Sequence, residues 1–245
     1  MSAHLRIRNG ARELVVTSEG RLPYCLGMAT PQPVVQPAGD VRNAFPGRVA
    51  GYQDYRVYHP GPILVAFDLP LGRNVGIVSL TSPAAGIWDI RAYCGASPDA
   101  FGFDTQYALD VWAFALPGAT PASKGLVLRD PISQVIAADF GQHSPLFPRG
   151  SGVTGGTATR VNFPLLQRPV GIGMPNFWSI SESAGSKPGI FDHEERRSNW
   201  RRTSATELTV TNNVMQRYTM PAGDAYQDVL DSEGAIFIIE GANLP

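Results

Sequence analysis

Twenty-one prolines are spread along the whole length of this 245-residue chain, and few stretches between them leave room for a three-turn helix. Proline breaks helix interiors and is confined to turns, strand ends and sheet edges. Twenty-six glycines add further turn points. The chain is therefore expected to be all-β, with hairpins and long Gly/Pro-rich loops. Hydrophobic residues make up 43% and aromatic residues 9%, which excludes a mainly disordered chain. The length suits one large β domain or two of about 120 residues.

Charge narrows the function classes. There are 20 basic and 21 acidic residues, a net charge of −1. A general nucleic-acid binder needs an excess of basic charge, so no nucleic-acid partner is expected. No run of 18 apolar residues occurs, so no helical membrane insertion is expected. The opening MSAHLRIRNG lacks the apolar core of a secretory signal. The two cysteines, Cys25 and Cys94, read as reduced, half-buried thiols or as one bridge. They are too few for an all-cysteine zinc site, and no metal or cofactor is expected.

Two segments carry hairpin patterns. In HLRIRNGARELVVTS, residues 4–18, two alternating runs flank Asn9-Gly10, with Leu5 and Ile7 on one face and Arg6 and Arg8 on the other. In GLVLRDPISQVIAADF, residues 125–140, a shift of 121 places Leu128 under Ile7 and Arg129 under Arg8. Either any two amphipathic hairpins look alike, or the chain is a repeat. A repeat gives tandem β-sandwich-like modules, 1–120 and 121–245, joined near Pro117–Ser123; one domain is the alternative.

Further strands are expected at Arg56–Tyr58, Ile63–Asp68, Val75–Leu80, Ile87–Tyr93 and Leu109–Leu116. In the second half they are Thr157–Phe163, Phe177–Ser181, Glu207–Thr211, Val214–Thr219 and Ala235–Glu240, with a tight hairpin at Asn212-Asn213. Val34–Pro46 reads as an extended arm. Phe191–Arg202 is the one short-helix candidate, with Asp192 as its cap and acids ahead of bases.

Gly150–Gly155 matches G-x-G-x-x-G as a string, but prolines precede it and a β-like segment follows. It reads as a glycine loop between strands and not as a dinucleotide site. His193 lies among Asp192, Glu194 and Glu195, a solvated charge cluster or an acid–base site. Trp200 and Arg201 sit in an arginine-rich stretch suited to an anion or a subunit contact. Trp88, Asp104, Asp110 and Trp112 fall in an aromatic and acidic region. Aromatic faces with acids bind sugars, and paired acids cleave them. The competing reading is core aromatics and turn-forming acids.

The segment DVWAFALPGATPASKGLVLRDPISQVIAADFGQHSPLF resembles a pattern of tail-tip and tail-fibre proteins from long-tailed bacteriophages. There, an aromatic-rich strand precedes a glycine-led strand, a turn and a second strand; here Val111–Phe114, Gly125–Asp130 and Val135–Asp139 match. LRIRNGARELVVTSEGRLPYCLG resembles the same pattern, whereas Pro131 and Ala137–Phe140 depart from it. The resemblance implies a non-enzymatic virion structural component, assembled in the host bacterial cytoplasm. Its partners would be other tail-tip proteins and copies of itself, in a threefold or sixfold homo-oligomer, with a host surface glycan as a further contact. The alternative is a carbohydrate-binding or glycan-cleaving β protein using residues 88–112. A third reading is a stand-alone bacterial β protein with a small ligand.

Overall fold

A computed structural model describes residues 6–8, 14–17, 23–33, 52–98, 104–106, 108–116, 127–129, 133–134, 136–139, 148–154, 160–174, 178–184, 190–221, 229–230 and 234–245. The first ten strands are β1 (Arg6–Arg8), β2 (Leu14–Thr17), β3 (Tyr24–Met28), β4 (Thr30–Gln32), β5 (Tyr52–Tyr58), β6 (Ile63–Asp68), β7 (Asn74–Ala84), β8 (Ile87–Pro98), β9 (Asp104–Gln106) and β10 (Val111–Ala115). The second ten are β11 (Val127–Arg129), β12 (Ile136–Asp139), β13 (Pro148–Thr154), β14 (Arg160–Asn162), β15 (Pro169–Met174), β16 (Trp178–Ala184), β17 (Ile190–Arg202), β18 (Glu207–Pro221), β19 (Val229–Leu230) and β20 (Gly234–Glu240). The described residues contain no helix.

Two antiparallel sheets form a sandwich-like, all-β fold. A six-stranded sheet runs β13-β20-β15-β6-β10-β3. A ten-stranded sheet runs β14-β18-β17-β7-β8-β5-β4, with β16, β19 and β9 branching from that path. On β5, β6 and β8, alternation sends every second side chain to the shared core. Phe67, Val111 and Ile238 from the smaller sheet meet Tyr55, Val75 and Trp200 from the larger. β10 is buried at all five positions. Its Trp112 and Phe114 form a second cluster on the other face, against which Leu244 of the C-terminal tail packs.

Both strand orders read as two matching halves. The smaller sheet is β3-β10-β6 joined to β15-β20-β13, and the larger contains β5-β8-β7 joined to β17-β18-β14. The joins, β6 with β15 and β7 with β17, are both antiparallel. This is a pseudo-two-fold relation between a first strand set and a second. Both sheets draw on both sets.

Residue-level register repeats as well. Ile7 faces Val16 and Leu128 faces Ala138, and each hairpin shifts register at the next residue, Arg8 or Arg129. The first strands are thus related by 121 residues and the second strands by 122. β3 skips Leu26 and β13 skips Arg149, and a glycine follows each bulge. Gly27 then faces Ala113, and Gly150 faces Ile238; both partners point into the shared core.

Three expectations are corrected. Phe191–Arg202 is not a helix; it lies in β17, a 13-residue strand paired along its length with β18. Cross-strand partners outweigh an end-charge pattern that no i,i+4 pair reinforces. Asn212-Asn213 is not a turn, because β18 runs unbroken from Glu207 to Pro221 and faces Ser198 and Arg197 there. The glycine run after Arg149 is strand up to Thr154, paired with β20. A β-carbon on Gly150 would lie 2.9 Å from Phe163 Cβ, so glycine there permits close approach of β14. Cys25 and Cys94 are free thiols, fully buried in separate clusters. Val34–Pro46 and Pro117–Ser123 lie outside the described residues.

Candidate functional site

The sequence candidates are distributed over both sheets. Trp88 donates its indole N–H to the carbonyls of His59 and Gly61, both at 3.0 Å, which pins the β5–β6 connection. Asp104 opens β9 opposite Pro98. Trp200 is fully buried in the shared core. Arg201 reaches Asn74 Oδ1 at 3.4 Å.

Among the described residues, Asp110 and Trp112 come together around Arg168. The Arg168 guanidinium lies 4.6 Å from the Trp112 ring centroid, pairs with Asp110 and reaches Asp68 Oδ1 at 3.4 Å. Trp112 donates its indole N–H to the Pro245 carbonyl at 2.9 Å. Glu240 completes this clasp by accepting the backbone N–H groups of Gln167 and Arg168 at 2.9 Å and of Ala242 at 3.0 Å. These contacts tie the C-terminal tail to the outer face of the smaller sheet. Asp110 keeps 47% of its side chain exposed there, and Asp68 25%.

The clasp has a defined pH response. Burial alone would raise the Glu240 carboxyl, but the backbone N–H groups around it, Arg168 and Gln167 foremost, overcome it and hold the group below its ordinary range. Its contribution is present above the unfolded-state value and is lost as pH falls through the folded one. Asp68 has the opposite sign: burial raises it against the pull of Arg168, so protonation there favours the folded state. Glu240→Gln is expected to lower Tm at neutral pH and to flatten the loss of Tm across the carboxylate range, about pH 5 to 3. Parallel melting curves against pH for the two proteins would overturn the assignment.

The described residues hold a second polar constellation, which the sequence reading missed. Asp54-Tyr55-Arg56 on β5 and Asp89-Ile90-Arg91 on β8 carry the same D-x-R spacing. Antiparallel register places Asp54 opposite Arg91 and Arg56 opposite Asp89. Each arginine then grips its partner with two parallel bonds. Arg56 uses Nε and Nη2 at 2.6 and 2.9 Å, and Arg91 uses the same atoms at 2.7 and 2.8 Å. Tyr55 and Ile90 between them face the core, so the forks lie on the outer face of the larger sheet.

Neighbouring strands extend the array. Gln32 of β4 faces Asp54, while Ser79 and Thr81 of β7 face Arg91 and Asp89. Together they line a pocket of about 440 Å³. The Arg56 hydrogen bonds hold the Asp89 carboxyl below its usual value. Bonding to Asp54 raises Arg91 above its usual value. The Arg56–Asp89 pair remains charged across the neutral range.

Comparison with models of known protein families, with curated proteins and with solved structures finds no match. The site is therefore read from its own geometry. Among the described residues no group of three or more His, Cys, Asp or Glu is placed to hold a metal ion. No helix of the described residues is long and apolar enough to cross a membrane.

Proposed function

We propose that the chain is a non-enzymatic structural component of a phage tail tip or tail-fibre assembly, building or decorating the host-contacting end of the tail. The observation that carries this reading is the repeated hairpin. The segments that resemble tail proteins form two hairpins of like register and like bulge, each preceding an equivalent strand set. A unit assembled from one repeated motif is suited to building symmetric particles, where the same contact recurs. The proposed partners are other tail-tip proteins and copies of itself, in a threefold or sixfold homo-oligomer. The proposed location is the virion tail, after assembly in the bacterial cytoplasm.

The fate of Asp110 and Trp112 supports the non-enzymatic part. Both are engaged with Arg168, and Trp112 also with the C-terminal tail. Mass spectrometry of density-gradient-purified particles, scaled to the major tail protein, tests the reading. A few copies per particle is the expected result. Finding the chain in the lysate and not in particles would overturn it.

A further inference from the structure

We propose that the forked Asp–Arg face of the first strand set is a binding site for a neutral saccharide. The outward row of β5 is Tyr52, Asp54, Arg56 and Tyr58, because Tyr55 and Val57 alternate into the core. Two tyrosines thus flank two charged groups along one strand. Tyr58 is 70% exposed, and Tyr52 lies 5.5 Å from the Arg91 guanidinium.

The charge balance selects the ligand. Two arginines and two aspartates cancel, and each cation is already matched to a carboxylate. A phosphate or carboxylate ligand would have to compete with Asp54 and Asp89 for these guanidiniums. A vicinal diol has no such conflict. One hydroxyl accepts from a guanidinium while its neighbour donates to the adjoining carboxylate. Arginine has five N–H donors and a carboxylate about four acceptor positions, so at Arg56 and Asp89 the two-bond fork and the Tyr58 contact do not exhaust either group. Ser79, Thr81 and Gln32 add neutral donors and acceptors at the margins. Beyond the pocket lining, the exposed ring of Tyr58, whose phenol bonds Arg56, supplies a flat apolar face for the C–H side of a sugar ring. The volume, about 440 Å³, lies within the range of small-molecule sites, roughly 300–1,000 Å³.

The second strand set provides an internal comparison. Val161 and Phe163 point into the core around Asn162, so Asn162 holds the outward place on β14. It faces Glu207, where the first set has Asp54 facing Arg91. β14 has three residues, and no described strand flanks it as β4 flanks β5. The fold does not require the forks, since the matching strands pair without them. Among the described residues they are a feature of one set alone.

This assignment stands whether or not the chain is carried in particles. Saturation-transfer-difference NMR on the full chain would use maltose, cellobiose, lactose and chitobiose, with inorganic phosphate and glucuronate as anionic probes. At least one neutral disaccharide is expected to bind, with signals strongest for its ring C–H protons. Tyr58→Ala and the Ser79→Ala/Thr81→Ala pair are expected to weaken binding by about tenfold or more while leaving Tm unchanged. Arg56→Lys keeps the charge but loses the fork, and is expected to abolish binding in a chain whose circular dichroism is unaltered. No binding by any neutral disaccharide would overturn the proposal. So would preferential binding of phosphate or glucuronate, or binding unchanged in the Tyr58 and Ser79/Thr81 variants.

Discussion

Replacing Trp200 with alanine is expected to cost about 3–5 kcal/mol of stability, whereas phenylalanine at the same place should cost far less. Trp200 is fully buried and faces Val75 in the pairing that joins the two strand sets of the larger sheet. Truncation to alanine opens a cavity at that join, where two sheets and two sets meet. Collapse into it is restricted, because β17 is held on its other side by β18. The indole carries an opposing cost: its Nε1 is buried with no hydrogen-bond partner. An orphan donor of that kind costs about 1–3 kcal/mol. Phenylalanine removes the orphan along with part of the ring, so loss of packing and relief of desolvation offset each other. Urea unfolding of the three proteins, compared by midpoint at equal slope, measures the difference. Equal destabilisation by phenylalanine and alanine would show that the indole edge is satisfied in solution.

Gly241→Ala is expected to destabilise the fold by about 1–3 kcal/mol through overpacking. A β-carbon there would overlap Val170 Cγ2 and lie 3.0 Å from the Arg168 carbonyl oxygen. Val170 is fully buried, and the carbonyl is backbone that accepts the Gly241 N–H at 2.7 Å. Neither neighbour can yield without moving the start of β15. The displacement would also pull Glu240 from the backbone N–H groups it receives, so the clasp on the C-terminal tail would loosen with it. Gly72→Ala is the control. It has positive φ, +73°, but no neighbour within 4 Å, so it carries only the left-handed backbone cost of about 1 kcal/mol. Thermal melts that leave Gly241→Ala level with the parent would mean that the tail is not seated against β15 in solution.

Much of the strand content was legible because alternation and punctuation are local. Ile63–Asp68 coincides with β6, bounded by Gly61-Pro62 and by Pro70. Ala235–Glu240 falls one residue short of β20. The hairpin at β11 and β12 was visible from its likeness to the first. The misread elements share one cause. At 191–202 the acids preceding bases gave a helix-like end pattern, and at 212–213 two asparagines gave a turn. Both segments belong to long strands whose partners lie elsewhere in the sheet, and pairing over 13 and 15 residues overrides such local preferences.

The sites divide in the same way. Asp110 and Trp112 were singled out as neighbours in sequence, but their common partner, Arg168, is 58 residues from Asp110. The repeated D-x-R signal at 54–56 and 89–91 was present in the sequence. Its meaning depends on β5 lying against β8 in a register that crosses the charges. A slip of β5 by one residue would send Asp54 and Arg56 to the core face and break both pairs.

By itself the sequence determined the all-β class, because dispersed proline and glycine leave few uninterrupted helical stretches and two-residue alternation favours strands. It also marked the repeated hairpins, since their turn and face patterns are written within some fifteen residues. Only the tertiary structure decided that the two strand sets share both sheets, which aspartate meets which arginine, and which face of each strand is covered. Those outcomes depend on the pairing of segments far apart in the chain, and pairing is selected by burial of the whole core.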